Sequence, residues 1–161
     1  MTPFGHIAIS YISTCKLQNN LKVCFIIGSV FPDIDFLFIL SGELNEMHRG
    51  LTHSFFFIFI ISVILSFLLE KKNMTRCMFF FLGGILHIFI DSILDGNYSN
   101  GIGTQMFWPL SNEFYSPFNL LNDNSLFTWD KPLEFIKSNL GIILLIELPF
   151  YYLAYKIYRG K

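Results

Sequence analysis

Histidine and aspartate side chains recur in short motifs of an otherwise apolar sequence. The motifs are "FPDIDF", "HRGLTHS" and "HIFID", and a further histidine stands near the start in "GHIAIS". The residues in question are His6, Asp33, Asp35, His48, His53, His87 and Asp91. Imidazole nitrogen and carboxylate oxygen together suit zinc, and also manganese or iron. The motifs therefore indicate a divalent metal site.

The spacing within two motifs favours convergence on an ion. In "HIFID", His87 and Asp91 are four residues apart, which places both on one face of a helix. In "FPDIDF", Asp33 and Asp35 flank one residue, and an extended backbone would point both carboxylates the same way. Either motif alone has a simpler explanation, since a lone histidine in an apolar helix is more often a hydrogen-bonded core residue.

The motif "HRGLTHS" has a spacing that no regular helix face matches. Its two histidines, His48 and His53, are expected to converge from a loop and a helix start, with Thr52 as a possible N-cap. Seven potential ligands exceed the four of one structural site. We therefore expect one to three divalent ions, with zinc favoured: two ions, or one ion with an open position and further residues behind its ligands, fit better than a single closed site.

The elements that carry these motifs are strongly hydrophobic. Hydrophobic residues make up 53% of the 161 residues and charged residues 14%, against about 25% charged in a soluble domain. The net charge of −1 disfavours nucleic acid as a partner. Residues Gly50–Leu69 carry no formal charge with His53 neutral, and about 20 helical residues cross a bilayer. The composition predicts a membrane protein; the alternative is a soluble protein with buried core helices.

Long apolar runs predict helices rather than strands. The sequence predicts one all-α domain over residues 1–161, an integral membrane bundle of about four to five hydrophobic helices with a long interfacial loop at 95–138. The segments are Phe4–Cys15, Val23 to about Leu40, Leu51–Leu69, Cys77 to about Leu94, and Leu140–Tyr155.

The links between segments carry most of the basic residues. Three of them, "KLQNNLK", "EKKNMTR" and "KIYRGK", hold eight of the 11 lysines and arginines. Such links face the cytoplasm by the positive-inside rule. Alternating spans then place the chain in the cytoplasmic (inner) membrane as a multi-pass protein, with the histidine and aspartate motifs at its extracytoplasmic side. The oligomeric state is left open.

Five motifs together resemble a known family. "GHIAIS", "GSVFPDIDF", "HRGLTHS", "HIFID" and "GTQMFWPLS" occur in the order found in the YdjM-like, LexA-regulated, membrane-bound metal-dependent hydrolases. The resemblance covers about residues 4–118. That family is distantly similar to zinc-dependent phospholipase C and the P1-type nucleases, which are helical phosphoesterases. The segment "SILDGNYSNGIG" is longer here than its counterpart in the family, which affects the expected shape of the pocket.

The resemblance implies a ligand set and a reaction. His87, Asp91 and Asp33 would hold one ion with His48 or His53, and the remaining histidine, with His6, a second. The leading hypothesis is hydrolysis of phosphoester bonds in a phospholipid or lipid-linked phosphate. Asp35, or Asp33, could orient or deprotonate the attacking water.

Two further residues are expected to contact substrate. Arg49 could bind phosphate oxygens through its planar guanidinium, in a catalytic and a substrate-binding role. Trp108, in the interfacial loop at 95–138, is expected to bind or cover the lipid. Two rival hypotheses are a non-catalytic metal-binding membrane protein, either sensor or transporter, and a structural membrane subunit whose histidines cap helices.

Overall fold

Helices make up most of the described chain, and residues 103–117 are a non-helical segment. The computed structural model describes residues 1–35, 49–68, 74–94, 103–117 and 140–160. These residues form the helices α1 (Pro3–Ser13), α2 (Asn19–Val30), α3 (Phe55–Leu68), α4 (Met74–Ile93) and α5 (Leu140–Arg159). Each helix falls on one of the five predicted hydrophobic segments, so the all-α class is confirmed.

Two short 3-10 turns carry site residues between the helices. Residues 31–35 continue α2 as one such turn, and Leu51–His53 form another just before α3. Asp33 and Asp35 therefore do not lie on extended backbone. The prediction that an extended backbone points both carboxylates the same way is wrong. The tighter helical turn follows directly from α2 and still brings both carboxylates to the same region of the protein.

Side-chain caps fix the starts of α1 and α3. Thr2 caps α1, with Pro3 at its first position, and its Oγ1 accepts a hydrogen bond from the Gly5 N–H at 3.1 Å. Ser54 caps α3, with its Oγ accepting from the Phe57 N–H at 3.1 Å. The prediction that Thr52 would be the N-cap is wrong, since its hydroxyl donates instead to Asp35 Oδ2 at 2.9 Å.

Glycines bring α2 and α4 into close contact, the most extensive helix pair in the described chain. A Cβ at Gly28 would collide with the Phe80 carbonyl oxygen, and one at Gly83 would collide with that of Phe25. Small residues allow helix backbones to approach in this way, as is common in membrane proteins. α1 packs on α2 and on α5, while α3 packs on α4.

The described residues place polar groups inside and apolar groups outside. They include 16 buried polar or charged residues but only six buried hydrophobic ones. Large side chains such as Phe67 and Leu145 are exposed, at 85% and 68%. One described helix, α4, is long and apolar enough to cross a membrane, and α3 is a shorter apolar helix of 14 residues. This distribution is consistent with a lipid environment, where apolar surface carries no penalty.

Part of the predicted interfacial loop packs against the start of α3. Within residues 103–117, Thr104 pairs with Tyr115 as an isolated β-bridge, and Met106 is buried beside Ile58 and Ile88. The Met106 carbonyl accepts from the Phe55 N–H at 3.0 Å. The rest of the loop lies outside the described residues, and its membrane-interface role stays a prediction.

Candidate metal centre

Four buried side chains from three parts of the fold converge on one point. Asp33 comes from the 3-10 turn after α2, His53 from the turn before α3, and His87 and Asp91 from α4. One ligand atom from each lies within 4.8 Å of every other. All four are buried. A group of this composition could hold a metal ion.

The separations match those of a four-coordinate ion. His53 Nε2 and His87 Nε2 are 3.1 Å apart. Asp33 Oδ1 lies 3.8 Å from the first and 3.5 Å from the second, and Asp91 Oδ2 lies 3.7 and 3.5 Å from them. Tetrahedral zinc with bonds of about 2.0–2.1 Å separates its ligand atoms by about 3.4 Å. These five separations, between 3.1 and 3.8 Å, are therefore close to the tetrahedral value, and all four ligand atoms lie within 4.8 Å of one another.

The far nitrogen of each histidine has an acceptor that fixes the ring. His87 Nδ1 lies 2.7 Å from the Ser29 carbonyl oxygen, which can only accept, so Nδ1–H is the donor. His53 Nδ1 lies 3.0 Å from Thr52 Oγ1 and 3.3 Å from Asp35 Oδ2. Metal-binding histidines usually donate their other N–H to a backbone carbonyl or carboxylate in this way.

Asp35 lies behind His53, away from the convergence point. Its Oδ2 accepts from the Thr52 hydroxyl at 2.9 Å and from the Arg49 N–H at 3.3 Å. The carboxylate thus faces the Nδ1 edge of the imidazole rather than the Nε2 edge. This location suits a residue that positions His53 better than one that contacts a water at the ion.

Asp91 divides its two oxygens between the cluster and α1. Oδ2 faces the two histidines, while Oδ1 accepts from His6 Nε2 at 3.0 Å and from the Met1 α-amino group at 2.9 Å. The His6 ring stacks on His87 with centroids 3.8 Å apart. His6 therefore contacts two of the four residues from behind and is not one of the four itself.

Asp33 retains an oxygen with no hydrogen-bond partner among the described residues. The residue is 8% exposed, and Oδ2 is buried without a donor. A buried carboxylate oxygen left without a partner is costly unless a cation compensates it. A cation at the cluster would compensate this carboxylate through Oδ1, the oxygen that faces His53 and His87.

Arg49 adds a positive charge beside the cluster. It is 6% exposed, and its Nε lies 3.9 Å from Asp91 Oδ2. Its backbone has a φ of 64°, a conformation uncommon outside glycine. The Arg49 carbonyl accepts from the Gln105 N–H at 3.0 Å, so residues 103–117 help to fix this geometry.

Two predicted site residues are not brought to the cluster by the described structure. His48 lies outside the described residues. Trp108 lies against Phe56, with ring centroids 6.3 Å apart, and its role in substrate binding stays a prediction. The other predicted residues, Asp35, Arg49, His6 and the four of the cluster, do lie together.

Sequence reasoning missed three contributors to this region. The Ser29 carbonyl is a backbone group, and no residue type marks it. The Met1 amine becomes relevant only once α1 is placed against α4. Glu147 on α5 is fully buried and accepts from the Thr2 N–H and hydroxyl, both at 2.7 Å. A lone acid in an apolar helix was the available signal for Glu147.

Fold and site together define a helical membrane protein with a buried histidine–aspartate cluster. The chain belongs to the YdjM inner membrane protein family, whose model matches residues 1–160. The predicted family and the membrane assignment are thereby confirmed. The more distant similarity to zinc-dependent phospholipase C and the P1-type nucleases stays a prediction.

A curated relative supports the same membrane assignment. The chain is 31% identical over 113 residues to the inner membrane protein YbcI of Escherichia coli strain K12. The match covers 65% of this chain and 63% of YbcI, which is less than two thirds of that protein's length. No solved structure matches the chain significantly.

Proposed function

We propose that this protein is a metal-dependent hydrolase of phosphoester bonds in a lipid or lipid-linked substrate. The observation that supports this most is the convergence of Asp33, His53, His87 and Asp91, with the far nitrogen of each histidine held by an acceptor. In this proposal the four residues hold one divalent ion, and zinc fits their nitrogen and oxygen donors. The site faces the extracytoplasmic side of a multi-pass protein.

A bound ion would supply Lewis-acid chemistry, which polarises a phosphoryl oxygen and lowers the pKa of a water to about 7. The chain's own residues provide orientation and charge. Asp35 and Thr52 fix the His53 ring, and the Ser29 carbonyl fixes His87. Arg49 lies beside Asp91, and its planar guanidinium group can donate two parallel hydrogen bonds to phosphate oxygens.

Asp33 is the best-placed residue for proton transfer. Its Oδ1 faces the histidine nitrogens, while Oδ2 has no donor among the described residues. If water enters the site, a carboxylate with one oxygen facing the histidines and a second oxygen without a donor could accept a proton from that water. This role passes to Asp33 because Asp35 is engaged at the opposite edge of His53.

A non-catalytic metal-binding role is the second candidate, and one observation favours it. Four protein ligands around one ion form a closed site, which is typical of structural zinc, whereas catalytic zinc usually has three protein ligands and an open position. A sensor, a transporter or a structural subunit would use the cluster in this way. The catalytic proposal requires one of the four residues, such as Asp33, to yield its position to water or substrate.

The test is a phosphodiesterase assay on protein purified in detergent, with and without added zinc. We expect hydrolysis that a chelator removes and zinc restores. His87→Ala and Asp91→Ala should lose the activity, and Glu113→Gln, at an exposed carboxylate, should retain it. Activity that persists in His87→Ala and Asp91→Ala would contradict the proposal, while bound zinc without any phosphoesterase activity would favour the second candidate.

A further inference from the structure

An apolar cavity lies between α1 and α2 and reaches Asp33, one of the four residues of the metal cluster. Its volume is about 670 Å³, and Pro3 and Ile7 of α1 face Ile27 and Val30 of α2 across it. All but one of its lining residues are apolar, and the exception is Asp33. The volume lies within the range of about 300–1,000 Å³ typical of small-molecule sites.

Asp33 joins this cavity to the cluster. The same side chain lines the cavity and brings Oδ1 to within 3.5 Å of His87 Nε2. Its Oδ2 is buried without a hydrogen-bond partner among the described residues. Asp33 is therefore the residue at which the apolar lining of the cavity meets the polar cluster, as a site for an amphipathic molecule requires.

We propose that the cavity between α1 and α2 binds one hydrocarbon chain of a lipid phosphate ester, with the phosphate directed past Asp33 to the ion. This inference rests on the proposed function and names the part of the protein that selects the lipid. The occupant is a hydrocarbon chain, because Asp33 is the only polar side chain among the described residues that line the cavity.

Charge complementarity supports a phosphate at the polar end. An ion at the cluster and the buried Arg49 guanidinium, 3.9 Å from Asp91, together offset the carboxylates and attract an anion. The open side of the cavity exposes Ile27 and Ile7, at 53% and 38%, so a chain can enter sideways from the bilayer. The substrate then never has to leave the membrane before it reaches the site.

Two substitutions on α2 form a matched pair for the test. Ile27 and Val23 are one helical turn apart and equally exposed, at 53% and 52%, but Ile27 lines the cavity and Val23 does not. Ile27→Trp should fill the cavity, and Val23→Trp should add the same bulk outside it. Both variants should bind zinc as the wild type does, because neither residue contacts the cluster.

The probe is dodecyl phosphate with a photoreactive diazirine near the end of its chain, applied to zinc-loaded protein in detergent. We expect saturable labelling of peptides from α1 and α2, reduced at least tenfold in Ile27→Trp and unchanged in Val23→Trp. Equal labelling of Ile27→Trp and wild type, or labelling spread evenly over α3 and α5, would overturn the inference.

A hydrolysis assay separates this inference from the proposed function. Ile27→Trp should lose hydrolysis of a long-chain phospholipid while keeping hydrolysis of the water-soluble bis(p-nitrophenyl) phosphate. An equal loss on both substrates would overturn the cavity assignment and leave the hydrolase proposal standing. Specific labelling of α1 and α2 in a protein that hydrolyses neither substrate would overturn the hydrolase proposal and retain the lipid site.

Discussion

His53 and His87 face each other through their Nε2 atoms, 3.1 Å apart, while the Nδ1 atoms point away to Asp35, Thr52 and the Ser29 carbonyl. If both Nδ1 atoms carry the proton, two nitrogen lone pairs meet at this distance and repel. A cation between them removes the repulsion. Because the carboxylates of Asp33 and Asp91 point to the same place, a divalent ion fits the charge better than a single proton.

Asp35 and Asp33 should respond differently to the same change. Asp35→Asn should weaken zinc binding about 10–100-fold, as is usual for a residue that orients a ligand. Asp33→Asn should cost more, because it alters one of the four converging atoms. Titration of metal-free protein with zinc against a competing chelator measures both. Equal affinities for wild type and Asp35→Asn would contradict the positioning role.

One pair of this cluster, His87 and Asp91, could be predicted from local spacing alone. His87 and Asp91 share a helix face by the i, i+4 rule, and α4 confirms it. The helical segments could also be predicted from the sequence, because long apolar runs permit few other structures in lipid. Local rules of this kind need no knowledge of how the helices pack.

The division of roles could not be predicted, because it depends on packing. Asp33 and Asp35 are chemically identical and two residues apart, and only the 3-10 turn sends one to each edge of His53. His6 ends behind Asp91 because α1 packs on α2 and α5, contacts between distant parts of the chain. The Ser29 carbonyl likewise reaches His87 only through the glycine-mediated contact of α2 and α4.

That glycine contact gives a prediction about packing. Gly28→Ala should lower stability and zinc affinity together, because its Cβ meets the rigid Phe80 backbone and forces α2, with Ser29, away from α4. Gly160→Ala is the control, because its Cβ would make only an ordinary contact with the Lys156 carbonyl oxygen, at 3.4 Å. Overpacking of the kind expected in Gly28→Ala costs about 1–3 kcal/mol. Thermal unfolding in detergent and zinc titration would measure both effects, and similar behaviour of the two variants would argue against the account.

Glu147 should stabilise the junction of α1 and α5. It accepts from the Thr2 N–H, the Thr2 hydroxyl and the Tyr151 hydroxyl, and it is fully buried. Glu147→Ala leaves these donors unsatisfied, at a cost of about 1–3 kcal/mol for each that stays buried. We expect a lower thermal unfolding midpoint, with a smaller decrease in Tyr151→Phe. An unchanged midpoint in Glu147→Ala would show that water replaces the carboxylate.

Arg49 should affect catalysis more than metal binding. Arg49→Lys keeps the charge but loses the planar guanidinium, so hydrolysis should fall at least tenfold while zinc content stays at the wild-type level. Steady-state kinetics and elemental analysis on the same preparation test this. A variant that loses its zinc would instead assign Arg49 to the stability of the cluster, through its side-chain contact with Asp91.

The central claim is that Asp33, His53, His87 and Asp91 bind one divalent ion, and elemental analysis tests it most directly. Protein purified in detergent without chelator should contain about one zinc per chain. His53→Ala and His87→Ala should contain only trace metal, and Glu113→Gln should match the wild type. Wild-type protein without bound metal after incubation with zinc, or full occupancy in both histidine variants, would contradict the account.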